Sequence, residues 1–153
     1  MFRRHHGVLQ VLLGHPGGPF WTKKDDGAWT IPKGEYDSSE DSLAAAKREF
    51  GEETGFAIEG PFLPLGSLKQ PSGKILAAWA FESDCDPDAL ASNTFEIEWP
   101  PKSGRKATFP EIDRVGWFGI DDARQKLHRG QEPFLHALET VLSDEKSGRS
   151  SQS

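Results

Sequence analysis

Three glutamates, Glu49, Glu52 and Glu53, stand at i, i+3 and i+4, with Arg48 beside them. On a helix, at about 100° per residue, that spacing gathers all three carboxylates on one face. Like charges held so close repel one another unless a cation neutralises them. The spacing alone leaves two readings open: a solvated acidic face, or a site for a hard divalent cation. Carboxylate oxygens suit Mg²⁺ or Mn²⁺, and Mg²⁺ usually keeps several waters and shares itself with substrate phosphates.

A helix must carry these residues, and the flanking sequence provides for one. Ser39 is the predicted N-cap, with Glu40 and Asp41 favourably placed near the positive helix end. Leu43, Ala46 and Phe50 recur at i, i+3 and i+7 as an apolar stripe next to the carboxylates. Gly55 is the residue type expected just past a helix C-terminus. Upstream, Val8–Leu13 is a short apolar run that reads as a buried strand, stopped by His15-Pro16-Gly17-Gly18-Pro19. Residues 20–26 read as a loop, and Trp29-Thr30-Ile31 as a second brief strand closed by Pro32 and Gly34. Downstream, residues 62–70, 75–82, 95–99 and 114–119 read as strands. Asp121 or Asp122 can cap a short helix through Leu127, and Phe134, Leu135, Leu138 and Leu142 mark a last helix over 133–142. Mixed strands with separate helices predict an α/β (α+β) fold, an α/β/α sandwich over a mixed β-sheet. One domain is expected over residues 1–142, followed by a polar, disordered tail at 143–153. Met1-Phe2-Arg3-Arg4 reads as the end of an opening strand, with most of that strand missing and a neighbouring edge left open.

The residues around the helix add constraints that spacing cannot supply. Gly34, Glu40, Arg48-Glu49-Phe50, Glu52-Glu53, Gly55 and Phe56 fill every fixed position of the pattern G-x5-E-x7-R-E-U-x-E-E-x-G-U, where U is bulky and apolar. The chain therefore resembles the Nudix hydrolase family (MutT-like). The segment Trp29-Thr30-Ile31-Pro32-Lys33-Gly34 is similar to the Trp-x-x-Pro-Lys-Gly entry of many members, and the closing Trp117-Phe118 strand also fits. Similarity is strong over 27–56 and looser elsewhere.

The resemblance implies a metal-dependent pyrophosphohydrolase that cleaves a nucleoside diphosphate linked to another moiety. Glu52 and Glu53 would ligate Mg²⁺ or Mn²⁺. Glu49 would be a further ligand or would hold a water of the metal's shell, and the Gly34 carbonyl would add another ligand. Arg48 would orient the glutamates through a charge-assisted bond, and Glu40 would steady the loop–helix geometry. The metals must offset the charge of the diphosphate and acidify water, and a pair of metals stabilises attacking and leaving oxygens together. A glutamate, Glu53 or a downstream carboxylate, would take the water proton. Glu111 and Asp113 precede the last strand, where many members carry an extra carboxylate; Glu111 is the favoured one. The motif sets Lys33 at the site, where it would meet phosphate.

Other residues bear on the substrate. Lys102, Arg105 and Lys106 form a basic loop with Trp99 at its root, so they read either as polyphosphate contacts with a stacking ring or as a solvated turn. Trp29 borders the motif and is a candidate substrate contact, although such a Trp is more often core. Nucleoside triphosphates or dinucleoside polyphosphates are the favoured substrates. RNA 5′ ends, diphosphoinositols and a non-catalytic ligand-sensing role are the alternatives, and the last usually goes with loss of a box glutamate. None of the histidines shows metal-ligand spacing, so none is assigned a role.

Composition limits the rest. The net charge of −6 over 153 residues argues against stable nucleic-acid binding, which needs a basic face. It leaves a small phosphorylated partner open, since metal ions reverse the sign of a carboxylate-rich site. A lone Cys85 rules out an intramolecular disulfide and a multi-cysteine zinc site, and reads as an incidental surface thiol. No apolar run approaches the ~20 residues of a membrane span, so a cytoplasmic location is expected.

Overall fold

The computed structural model describes residues 1–31, 35–36, 41–69 and 73–152. Its organising element is strand β2, Val8–Pro16. Successive residues of a strand face opposite sides, and here both sides are covered. Val11 and Leu13 pack with Leu127, Leu135 and Leu138, while Leu12 packs with Phe50, Phe81 and Val115. Leu13 is 0% exposed. Residues apolar on both faces need a helix layer on each, and the chain supplies them. Helix α1, Ser42–Thr54, lies on the Leu12 side. Helices α2, Ile120–Lys126, and α3, Glu132–Gln152, lie on the other.

Strand β1, Phe2–His5, pairs antiparallel with β2 from Phe2↔Val11 to His5↔Val8. On its other edge β2 pairs antiparallel with β8, Ile112–Gly119. A second sheet has the order β3 (Glu35–Tyr36), β5 (Ile75–Ala80), β4 (Leu63–Lys69). The two sheets meet through Phe2, whose amide donates to the Phe81 carbonyl and whose carbonyl accepts from the Ser83 amide, both at 3.0 Å. A two-stranded hairpin, β6 (Thr94–Glu98) and β7 (Lys106–Pro110), completes the strands. The mixed α/β expectation is met, with the strands of the described residues in three sheets rather than one.

Several local expectations shift. The N-cap of α1 is Asp41, whose carboxylate accepts from the Ala44 amide at 2.9 Å. Ser39, Glu40, Gly34 and Lys33 lie outside the described residues. Gly55 does end α1, at φ 72°, in the left-handed conformation that a side chain would strain. The Trp29–Ile31 strand is reduced to single bridges, Gly14↔Thr30 and Trp29↔Leu127. Lys106, read as part of a basic loop, begins β7, because Ala107 and Phe109 alternate inward opposite Ile97 and Phe95. Helix α2 starts after Gly119 with no side-chain cap, so neither Asp121 nor Asp122 caps it. Helix α3 extends past Leu142 to Gln152. Among the described residues, no helix is long and apolar enough to cross a membrane.

The turn after β2 is held by close backbone approach. A Cβ on Gly17 would lie 1.9 Å from the Pro110 carbonyl oxygen, whereas one on Gly119 would meet nothing within 4 Å. Gly17→Ala should therefore destabilise the chain by about 1–3 kcal/mol, the usual result of forced overpacking. Gly119→Ala should stay within about 0.5 kcal/mol of wild type. Equal midpoints for the two variants in urea denaturation would contradict the close approach.

Candidate active site

Two inward residues set the rotation of α1. Phe50 is buried edge-to-face against Phe81, with centroids 5.3 Å apart. Thr54 is fully buried and its hydroxyl donates to the Phe50 carbonyl at 2.7 Å. At about 100° per residue, Glu53, Glu49 and Glu52 then lie roughly 60°, 100° and 160° round from Phe50, all to one side. Their burial follows that order: Glu53 and Glu49 are half-buried and Glu52 is exposed. The Arg48 guanidinium sits 3.6 Å from the Glu49 carboxylate, close enough for an ion pair.

The end of α1 ties this face to the start of β8. The Thr54 carbonyl accepts from the Ala91 amide at 2.9 Å and the Glu52 carbonyl from the Asn93 amide at 2.7 Å. The Asn93 carbonyl accepts in turn from the Glu111 amide at 2.8 Å, and the Glu111 carbonyl from the Gly17 amide at 2.9 Å. Ser92 Oγ accepts from the Ile112 amide at 3.0 Å. Glu111, half-buried, is thus two hydrogen bonds along the backbone from Glu52. Sequence reasoning singled out Glu111 but missed Ser92, Asn93 and Gly17, which carry no signal apart from their contacts.

The donor chemistry fits a hard cation: three carboxylates on one helix face, two of them half-buried. Among the described residues no three His, Cys, Asp or Glu converge as a ready-made cage. The acidic pair Asp25 and Asp26 is committed elsewhere. The Lys126 ammonium and the Trp29 indole hold the Asp25 carboxyl below the usual range, and the Gln125 amide and Lys126 do the same for Asp26.

Trp29 requires correction. It is 6% exposed, its Nε1 donates to Asp25 Oδ1 at 2.8 Å, and His15 and Phe118 pack edge-to-face on it. With Arg114 over the ring as well, no face is left for a substrate, and Trp29 serves the core. Trp99 is half-buried at the far end of the β6–β7 hairpin, edge-to-face with Phe20 at 5.4 Å. Phe20 is 62% exposed and went unnoticed in the sequence because nothing local marks it. Lys102 and Arg105 are exposed in the turn beyond Trp99, and Lys106 stands 3.5 Å from Glu96. Cys85 is half-buried rather than a surface thiol. Burial pushes its thiol pKa up, which makes it a poor nucleophile.

The sequence matches the NUDIX domain over residues 2–138. Two solved structures are similar in fold. One is a Nudix hydrolase from M. smegmatis, RenU, at 20% identity and a TM-score of 0.52, covering 94% of this chain and 82% of that one. The other is the E. coli ORF135 protein, also at 20% identity and a TM-score of 0.52, covering 94% of this chain and 87% of that one. No curated protein matches. Nudix hydrolases generally use divalent metals and act on small phosphorylated substrates. The matched domain takes in nearly the whole chain, including the carboxylate helix and the strand that follows Glu111, and the chain belongs to the Nudix family, as a pyrophosphohydrolase of nucleoside diphosphate derivatives.

Proposed function

We propose that this chain hydrolyses the diphosphate of a nucleotide, a nucleoside triphosphate or a dinucleoside polyphosphate, with Mg²⁺ or Mn²⁺ held on the Glu49–Glu52–Glu53 face of α1. The observation that carries the reading is the single-sided set of glutamates on a helix whose end is bonded to the segment bearing Glu111. The cation, when bound, supplies the charge that offsets the diphosphate and acidifies water. Glu52 and Glu53 would bind it, Glu49 would complete the set, and the motif adds the Gly34 carbonyl as a further ligand. Arg48 holds Glu49 in place by its charge. Glu53 or Glu111 accepts the proton of the attacking water, and Lys33 meets the substrate phosphates. A cytoplasmic setting agrees with the single cysteine and the acidic balance.

Trp99, with Phe20 against it, would receive a base, and Lys102 and Arg105 would contact phosphate. Trp99 stands six residues along the hairpin from Asn93, up to about 20 Å at ~3.3 Å per residue. A substrate that reaches both Trp99 and α1 must therefore be long, which favours a dinucleoside polyphosphate over a mononucleotide.

Glu53→Gln should lower kcat by at least about 100-fold with little change in melting temperature, since it removes charge from a helix face rather than a core contact. Excess EDTA should abolish wild-type turnover, and Mg²⁺ or Mn²⁺ should restore it. Full activity in the variant, or in chelator, would reject the reading. Trp99→Ala should raise KM for diadenosine tetraphosphate more than for GTP, with kcat little changed. Equal effects on the two substrates would remove Trp99 from long-substrate binding.

A further inference from the structure

The pairing of β2 with β8 is regular through His15↔Arg114 and then shifts, so that Pro16 faces Ile112 and Asp113 is left over. An extra residue of this kind bends a strand and re-aims what precedes it. Here Glu111 precedes it, two residues before the bulge. Register matters at this point, because a slip of one residue would bring Pro110 or Ile112 to the place beside Asn93 that Glu111 occupies.

One side chain pins the bulge. His15 is 0% exposed; its Nδ1 lies 2.9 Å from Asp113 Oδ1 and its Nε2 lies 2.7 Å from the Lys24 carbonyl oxygen. Carbonyl and carboxylate are both acceptors, so the ring nitrogen that carries the proton donates to the oxygen it faces. Trp29 packs edge-to-face on the ring at 5.2 Å and limits its rotation. The ring thereby joins three pieces of backbone: β2 at His15, the following loop at Lys24, and β8 at the leftover residue. Two residues beyond His15, the Gly17 amide donates to the Glu111 carbonyl, so the same stretch that carries the imidazole also holds Glu111 directly.

We infer that His15 is a positioning residue for Glu111: lodged between Asp113 and the Lys24 carbonyl, it fixes the bulge that sets Glu111 beside the end of α1. The catalytic half of this inference rests on the reading of Glu111 as a group of the active site; the geometric half does not.

Amide hydrogen exchange and kinetics on the full chain separate the two halves. Asp113→Ala removes the acceptor at a site whose side chain is 33% exposed and so spares the core. His15→Gln keeps an amide group near the place of Nε2 and loses the contact with Asp113; His15→Asn does the reverse. In Asp113→Ala and His15→Gln, exchange at the Glu111 and Ile112 amides should rise about tenfold or more, as expected for loss of a buried hydrogen bond. The Gly55 amide, bonded to the Gly51 carbonyl at the end of α1, serves as the internal reference and should not change. With diadenosine tetraphosphate, kcat should fall about 10- to 100-fold while KM stays within about twofold. His15→Asn should recover most of the loss, and His15→Gln should add nothing in a Glu111→Gln background. Unchanged exchange at Glu111 and Ile112 in folded Asp113→Ala overturns the positioning role. Raised exchange together with wild-type kcat in Glu111→Gln overturns instead the reading of Glu111, and with it the catalytic half.

Discussion

The last carbonyls of a helix have no partner within it, and at the end of α1 the partners come from a distant part of the chain. Each such group, if buried and unmet, costs about 1–3 kcal/mol. Glu52 and Thr54 lend their carbonyls to the amides of Asn93 and Ala91, and Asn93 passes the connection on to Glu111. A requirement of backbone chemistry thus fixes where the second acidic segment lies relative to the first. The side chains that could do chemistry are placed by main-chain bonds that involve none of their own atoms.

The layers around β2 make that arrangement rigid. Phe50 and Thr54 turn one side of α1 into the core, so the glutamates cannot rotate away without exposing a buried ring. On the opposite face, Leu13 and Trp29 pack on α2 and α3, and Asp25 is bound both to Trp29 and to Lys126. The loop between β2 and Trp29 is therefore tied at several points, including the Lys24 carbonyl that His15 holds. Polar groups buried here are bonded, as interiors require.

What could be read from sequence is what depends on near neighbours. The carboxylate face needs only the spacing of 49, 52 and 53 within one helix, and the glycine at 55 needs only its backbone freedom. Strand β2 shows itself because it is apolar on both faces. The remaining features depend on partners far along the chain. Asp41, rather than Ser39, caps α1, a choice among several neighbouring capping residues that composition cannot make. Strand β7 is five residues beside a basic turn, and it is a strand only because β6 lies opposite. Trp29 borders the motif, yet its burial follows from Phe118 and His15. The ring of His15 meets Asp113 across 98 residues, a separation no local pattern reports.

The central claim is that the α1 glutamates hold a cation and that Glu111 stands beside it. Titrating Mn²⁺ into isotope-labelled protein and following paramagnetic broadening of amide signals tests it without any substrate. The account predicts that residues 49–54 broaden first, together with Glu111 and Asn93, and that Glu53→Gln removes the effect. Early broadening around Asp84 and Asp86 or Asp25 and Asp26, with the α1 and Glu111 signals still sharp, would contradict it.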